Sequence, residues 1–96
     1  MLFTLICPDK PGHVQLRLDT RPRHLDYLKG FEANILAAGA MLSDDGQQPV
    51  GSLLIVDFPD LAAAKAFSAG DPYAQVGLFE SVTVRPFRHV YFKAPA

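Results

Sequence analysis

The stretch Val50-Gly51-Ser52-Leu53-Leu54-Ile55-Val56-Asp57-Phe58 decides the fold. It is rich in β-branched and bulky apolar residues, carries no proline, and reads as a strand. Successive side chains of a strand point to opposite faces. Leu53 and Ile55 then share one face, and Leu54, Val56 and Phe58 share the other. Leu2 to Cys7 behaves alike: Phe3, Leu5 and Cys7 oppose Leu2, Thr4 and Ile6. A half-solvated strand alternates apolar and polar residues. These two strands are apolar on both sides, so both faces of their sheet need a cover.

Outward from these strands, turn and cap residues mark the other elements. The first strand stops at Pro8, and Asp9-Lys10-Pro11-Gly12 carries turn chemistry. His13 to Asp19 reads as a loop or a helical lead-in. Thr20 is placed as a helix N-cap, with Pro22 in the first turn, where its missing N–H would be unpaired anyway. Leu25, Leu28 and Phe31 recur at helical spacing, and the helix is expected to end near Ala33 or Asn34. Gly30 within it costs about 1 kcal/mol relative to Ala. Ile35 to Ser43 reads as a strand and Asp44 to Pro49 as a hairpin loop built on an Asp-Gly turn. Asp60 caps a helix from Leu61 to Ala69, with Gly70 as its C-cap. Asp71-Pro72 opens a short helical turn through Val76, and Leu78 to Phe87 is the last strand. The tail from Arg88 to Ala96 carries Val90, Tyr91 and Phe92, apolar for a free end.

The resulting order, β-α-β-β-α-β, predicts an α+β ferredoxin-like fold: a four-stranded antiparallel sheet with two helices on one face. Residues 1–96 read as a single domain, with a core over about 2–87 and a tail over 88–96. Two helices cover only one face of such a sheet. The other is expected to meet the sheet of a second copy, giving a homodimer through the sheet faces. The alternative asks a nine-residue tail to hide four strands.

Composition supports a partner and excludes several others. The chain has 96 residues, 49% hydrophobic and 20% charged, more apolar material than a domain this short easily hides. A net charge of −1, with nine Lys and Arg spread along the chain, leaves no footprint for nucleic acid. No run of about 18 apolar residues suggests a membrane span. The N-terminus lacks the basic and small-residue features of a signal peptide. One cysteine, Cys7, allows no internal disulfide. A cytoplasmic location is the expectation.

Few residues offer chemistry. His24 precedes Leu28 by four residues and Phe31 by seven, which puts an imidazole on the apolar stripe of its helix. It is either a helix-border side chain bonded to a nearby carbonyl or carboxylate, or an acid–base group active near neutrality. Asp71 is either an ordinary N-cap or the acceptor that fixes the tautomer of His24. Ser52 lacks a Gly-x-Ser-x-Gly elbow and reads as a strand hydroxyl. Cys7 reads as inert packing. His13, His24 and His89 have no metal-ligand spacing, so no metal is expected. No glycine-rich loop suggests a nucleotide.

Asp9-Lys10-Pro11-Gly12, Arg21-Pro22-Arg23-His24-Leu25, Gly51-Ser52-Leu53-Leu54-Ile55, Asp71-Pro72-Tyr73, Gly77-Leu78-Phe79-Glu80-Ser81 and Arg85-Pro86-Phe87 together resemble the YCII-related (YciI-like) family. The resemblance covers about residues 2–92. It implies a dimeric α/β barrel, two ferredoxin-like sheets packed face to face. It implies a His–Asp acid–base pair in a pocket, falling on His24 and Asp71. It also marks Arg21, Ser52, Asp9 and Tyr73 as substrate-binding positions. One departure is visible: where relatives often carry Gly-Pro, this chain has Gly39-Ala40.

Two readings follow from the resemblance. In the first, the chain is a cofactor-independent enzyme of lyase, isomerase or dehydrochlorinase type. His24 then moves a proton on a small substrate of aromatic or lactone-like type, and Arg21 holds its carboxylate. In the second, it is a non-catalytic dimeric module that binds a small ligand or serves a partner enzyme. The two are separated by whether His24 and Asp71 come within hydrogen-bond reach beside a pocket.

Overall fold

The computed structural model describes residues 1–95; Ala96, the end of the expected domain and tail, lies outside the described residues. The elements are β1 (Leu2–Pro8), α1 (Val14–Lys29), a 3-10 turn (Glu32–Asn34), β2 (Ile35–Leu42), β3 (Pro49–Asp57), α2 (Leu61–Gly70), α3 (Pro72–Gln75) and β4 (Thr83–Phe87). The sheet order is β2-β3-β1-β4, and every neighbouring pair is antiparallel. This is the ferredoxin-like α+β arrangement, with the short α3 appended to the second helix.

Strand alternation sorts the side chains as the sequence predicts. Phe3, Leu5, Cys7, Leu54, Val56 and Phe58 turn to the helices and are buried. They join Ala64 and Phe67 of α2, Tyr73 of α3, and Leu78 and Phe79 in one core. Tyr27, Phe31, Phe58 and Phe67 pack their rings together, with Phe31 edge-on to Phe67 at 4.8 Å. Such offset and edge contacts add to the burial of the rings themselves. On the other face, Ile6 and Leu53 are register partners and are 40% and 43% exposed. Phe87 lies at its border, beside Leu2. This open face is apolar over Leu2, Ile6, Leu53 and Phe87, and Thr4, Thr83 and Arg85 share it.

The tail does little to cover it. His89, Tyr91 and Phe92 line a cavity of about 270 Å³ with Leu36, Ala37, Ile55 and Phe87. Yet Val90, Tyr91 and Phe92 remain largely exposed.

Several boundaries differ from expectation, each for a physical reason. Helix α1 starts at Val14, not Thr20, and Thr20 is a fully buried residue of its second turn. Pro22 lies inside the helix. It removes the N–H that the Leu18 carbonyl would take, but it faces solvent, where water can serve that carbonyl. The helix ends at Lys29, and Gly30 rather than Asn34 caps it. Asn34 instead donates its amide to the Asp57 carbonyl at 2.9 Å, tying the 3-10 turn to β3. Gly70 is the last residue of α2 and not its cap; Asp71 is. A Cβ at Gly70 would meet the Tyr27 hydroxyl at 2.5 Å, so close approach, not a left-handed backbone, requires glycine there. The last strand begins at Thr83 rather than Leu78. Leu78 to Glu80 pair with Pro8 to Lys10 instead, through Lys10 N–H to Leu78 O and Glu80 N–H to Pro8 O.

The β2 ladder passes through Gly39-Ala40 without interruption, pairing them with Leu53 and Ser52. No helix among the described residues is long and apolar enough to cross a membrane.

Candidate active site

One face of α1 supplies the site. Arg17, Thr20, Arg21 and His24 recur at three- and four-residue spacing and therefore share a stripe. Its buried members are Arg17, Thr20 and His24. They meet Ser52 of β3, Asp9 after β1, and Asp71 and Tyr73 at the start of α3.

His24 and Asp71 come together. The His24 Nδ1 lies 2.9 Å from one Asp71 carboxylate oxygen and 3.0 Å from the other. A carboxylate only accepts, so Nδ1 carries the proton and donates it. In the neutral ring the lone pair is then on Nε2, which makes no hydrogen bond among the described residues. Asp71 also accepts the Tyr73 backbone N–H at 2.9 Å, as the N-cap of α3. The two readings of Asp71 are therefore both true at once. The cap fixes the carboxylate, and the carboxylate fixes the imidazole.

A second buried pair stands beside the first. Arg17 donates from Nε to one Asp9 oxygen at 2.6 Å and from Nη2 to the other at 3.0 Å. Nη2 also donates to the Ser52 Oγ at 2.7 Å. Burial works against the guanidinium charge, but the hydrogen bond and charge of Asp9 outweigh it and hold the Arg17 pKa above its ordinary value. Arg17 was not singled out in the sequence, because it falls in the stretch His13 to Asp19 that reads two ways. The available signal was the spacing Arg17–Arg21–His24, which becomes a stripe once the helix starts at Val14.

Tyr73 links the two pairs. Its ring stacks on His24, with centroids 4.0 Å apart and planes 20° from parallel. The Arg17 guanidinium lies 4.4 Å from the same ring's centroid. Two helical turns separate Arg17 and His24 by about 10 Å, space that an aromatic ring with a neighbour at each side takes up. Burial pushes the Tyr73 phenol up, against the opposing pull of Arg17 and Arg21.

These groups open on a cavity of about 180 Å³. Arg17, Arg21, His24, Ser52 and Tyr73 form its polar lining. Leu25, Leu28 and Leu54 form an apolar wall, and Ala38-Gly39-Ala40 of the edge strand β2 form a wall of small residues. Of the expected site residues, Arg21, His24, Ser52 and Tyr73 thus face one space. Asp9 and Asp71 do not line it: each stands behind the side chain it holds. Cys7 is buried nearby in the core, and burial, reinforced by the Asp71 charge, pushes its thiol up to about 12. Among the described residues no group of three or more His, Cys, Asp or Glu could hold a metal ion.

Known proteins share this chain's sequence and fold. A model of the YCII-related domain matches residues 1–88. Protein YciI of Escherichia coli is 37% identical, over 95% of this chain and 100% of that protein. An uncharacterized protein of Haemophilus influenzae is 35% identical, with the same coverage. The solved 5-chloro-2-hydroxyhydroquinone dehydrochlorinase of Burkholderia phenoliruptrix, in complex with 2,5-dihydroxybenzoquinone, is 32% identical with a TM-score of 0.86, covering 94% of this chain and 96% of that one. An antibiotic biosynthesis monooxygenase at 18% identity and a TM-score of 0.57, covering 95% of this chain and 100% of its own, shares the fold alone. By sequence along nearly its whole length and by fold, this chain belongs to the YCII-related family.

Proposed function

We propose that the chain is an enzyme that moves a proton on a small single-ring molecule, with His24 as the acid–base group and Asp71 as its orienting partner. One observation carries this reading. A buried imidazole has its Nδ1 tied to a fixed carboxylate and its Nε2 free at a cavity. That arrangement makes Nε2 a base of set orientation. The cavity, about 180 Å³, is smaller than the range of about 300–1,000 Å³ that takes drug-sized ligands. A single ring is the class that fits. Arg21, exposed at the cavity, holds an anionic group of the substrate, while Ser52 and Tyr73 contact its polar edge. Asp9 acts through Arg17. The chemistry is isomerisation or elimination, needs no cofactor, and is supported by the dehydrochlorinase relative.

Two copies packed open face to open face complete the assembly in this reading. The apolar exposure of Ile6, Leu53 and Phe87 supports it. A buried free thiol fits a reducing compartment such as the cytoplasm.

The test uses the chlorinated hydroquinone named for the relative as substrate and 2,5-dihydroxybenzoquinone as a ligand. Replacing His24 by Ala is expected to lower turnover about 10²–10⁴-fold while the protein stays folded. Turnover that survives His24→Ala refutes the role of His24. Quinone binding with no turnover by the wild type favours the non-catalytic binding module instead.

A further inference from the structure

Tyr73 presents a donor that the protein leaves without an acceptor. The residue is 1% exposed and lines the cavity. Its hydroxyl donates to no acceptor among the described residues. Of the charged groups near it, Arg17 and Arg21 carry donors only, and Arg17 can bond the hydroxyl only as a donor. Asp9, the nearest alternative, has both oxygens taken by Arg17. Asp71 is turned to His24 and to the Tyr73 backbone. A donor so little exposed is costly to leave without an acceptor. A molecule that enters the cavity with a negative oxygen supplies that acceptor.

We propose that the Tyr73 hydroxyl donates to an anionic oxygen of the bound molecule, making Tyr73 a catalytic residue and the substrate class single-ring compounds with an oxygen conjugated to the reacting carbon. This rests on the reading of His24 as the base. In the step, Nε2 takes the proton from carbon, and the C–H electron pair passes through the conjugated system onto the carbonyl oxygen. The Tyr73 O–H and the arginine charges stabilise that oxyanion as it forms. The pair then returns to the ring: either the imidazolium hands the proton back at another carbon, or a leaving group departs with its bonding electrons. Neither route needs an oxidant or reductant.

Tyr73→Phe tests this, because it keeps the ring on His24 and removes only the O–H. Calorimetric titration with 2,5-dihydroxybenzoquinone compares it with the wild type, alongside thermal melts and an NMR titration of His24. Binding weakened roughly 10- to 100-fold is expected, the usual weight of a hydrogen bond to a charged group, with the His24 curve unchanged. Equal binding overturns the proposal and leaves the His24–Asp71 reading standing. Weaker binding with a displaced His24 curve makes Tyr73 a positioning residue and overturns it too. Absence of quinone binding by the wild type overturns the ligand class, and the His24→Ala turnover assay then judges the base separately. Should Tyr73→Phe fail to fold, wild-type protein made with 3-fluorotyrosine, a more acidic donor, is expected to bind the quinone more tightly; unchanged affinity overturns the proposal.

Discussion

Replacing Arg17 by Met removes the cation that organises half of the site. Arg17 and Asp9 side chains are each 5% exposed, so Asp9 would keep a charge in the interior with no partner. Breaking a buried pair from one side costs about 3–5 kcal/mol. The variant also loses the bond to Ser52 and the contact with the Tyr73 ring. For a domain of this length, 3 kcal/mol corresponds to a drop in Tm of about 12–24 °C. Urea unfolding at neutral pH, followed by circular dichroism, measures the loss directly. The double variant Asp9→Asn/Arg17→Met leaves no stranded charge, and it is expected to be more stable than Arg17→Met alone. The reasoning is refuted if Arg17→Met costs under about 1 kcal/mol. It is refuted equally if the double variant loses the sum of the single losses to within about 0.5 kcal/mol, the margin for independent sites.

Other perturbations probe the rest of the structure. The wild type is expected to sediment as a dimer in analytical ultracentrifugation, and a charge placed on the open face, Leu53→Glu, to yield monomers; a wild-type monomer at micromolar concentration would refute the face-to-face assembly. Gly70→Ala drives a methyl against the Tyr27 hydroxyl, which is held by the Phe67 carbonyl at 2.8 Å, and should cost about 1–3 kcal/mol in urea unfolding. Adding Tyr27→Phe should recover part of that loss, and no recovery would mean the clash is not the cause. The Cys7 thiol has a folded pKa of about 12 against an ordinary 9.0, so its contribution to stability is whole below pH 9 and disappears as pH rises toward 12. Urea midpoints of the wild type should fall more steeply than those of Cys7→Ala between pH 8 and 10.5, and a thiol reagent should leave the folded protein unmodified at pH 8.

The sheet was legible in the sequence because its signal is local and repeated. Leu2 to Cys7 and Val50 to Phe58 each show the two-residue period several times over, and a slip of one residue would reverse every side chain. The first helix was less legible because two local signals competed. Pro22 and Thr20 look like a helix start, yet tertiary burial of Arg17 and Thr20 carries the helix two turns earlier. The end of α2 shows the same limit: Gly70 looks like a cap but answers to Tyr27, a residue far off in the chain. The His24–Asp71 pair was one of two open readings until the family resemblance favoured it, since nothing near either residue names the other. Arg17 escaped both routes, for its partners Asp9 and Ser52 lie in other elements and its own segment has no clear period.

The wall of the cavity formed by Ala38-Gly39-Ala40 has a consequence for how such a scaffold diversifies. It lies on an edge strand, where Ala38 and Ala40 pair with Leu54 and Ser52 and turn to the cavity, while Gly39 pairs with Leu53 and turns to the open face. Enlarging Ala38 or Ala40 would reshape the cavity while Asp9 and Asp71 keep their hold on Arg17 and His24. The range of molecules that fit can then shift by single substitutions on one strand. The His–Asp pair has no such freedom, because its carboxylate is also the cap of a helix.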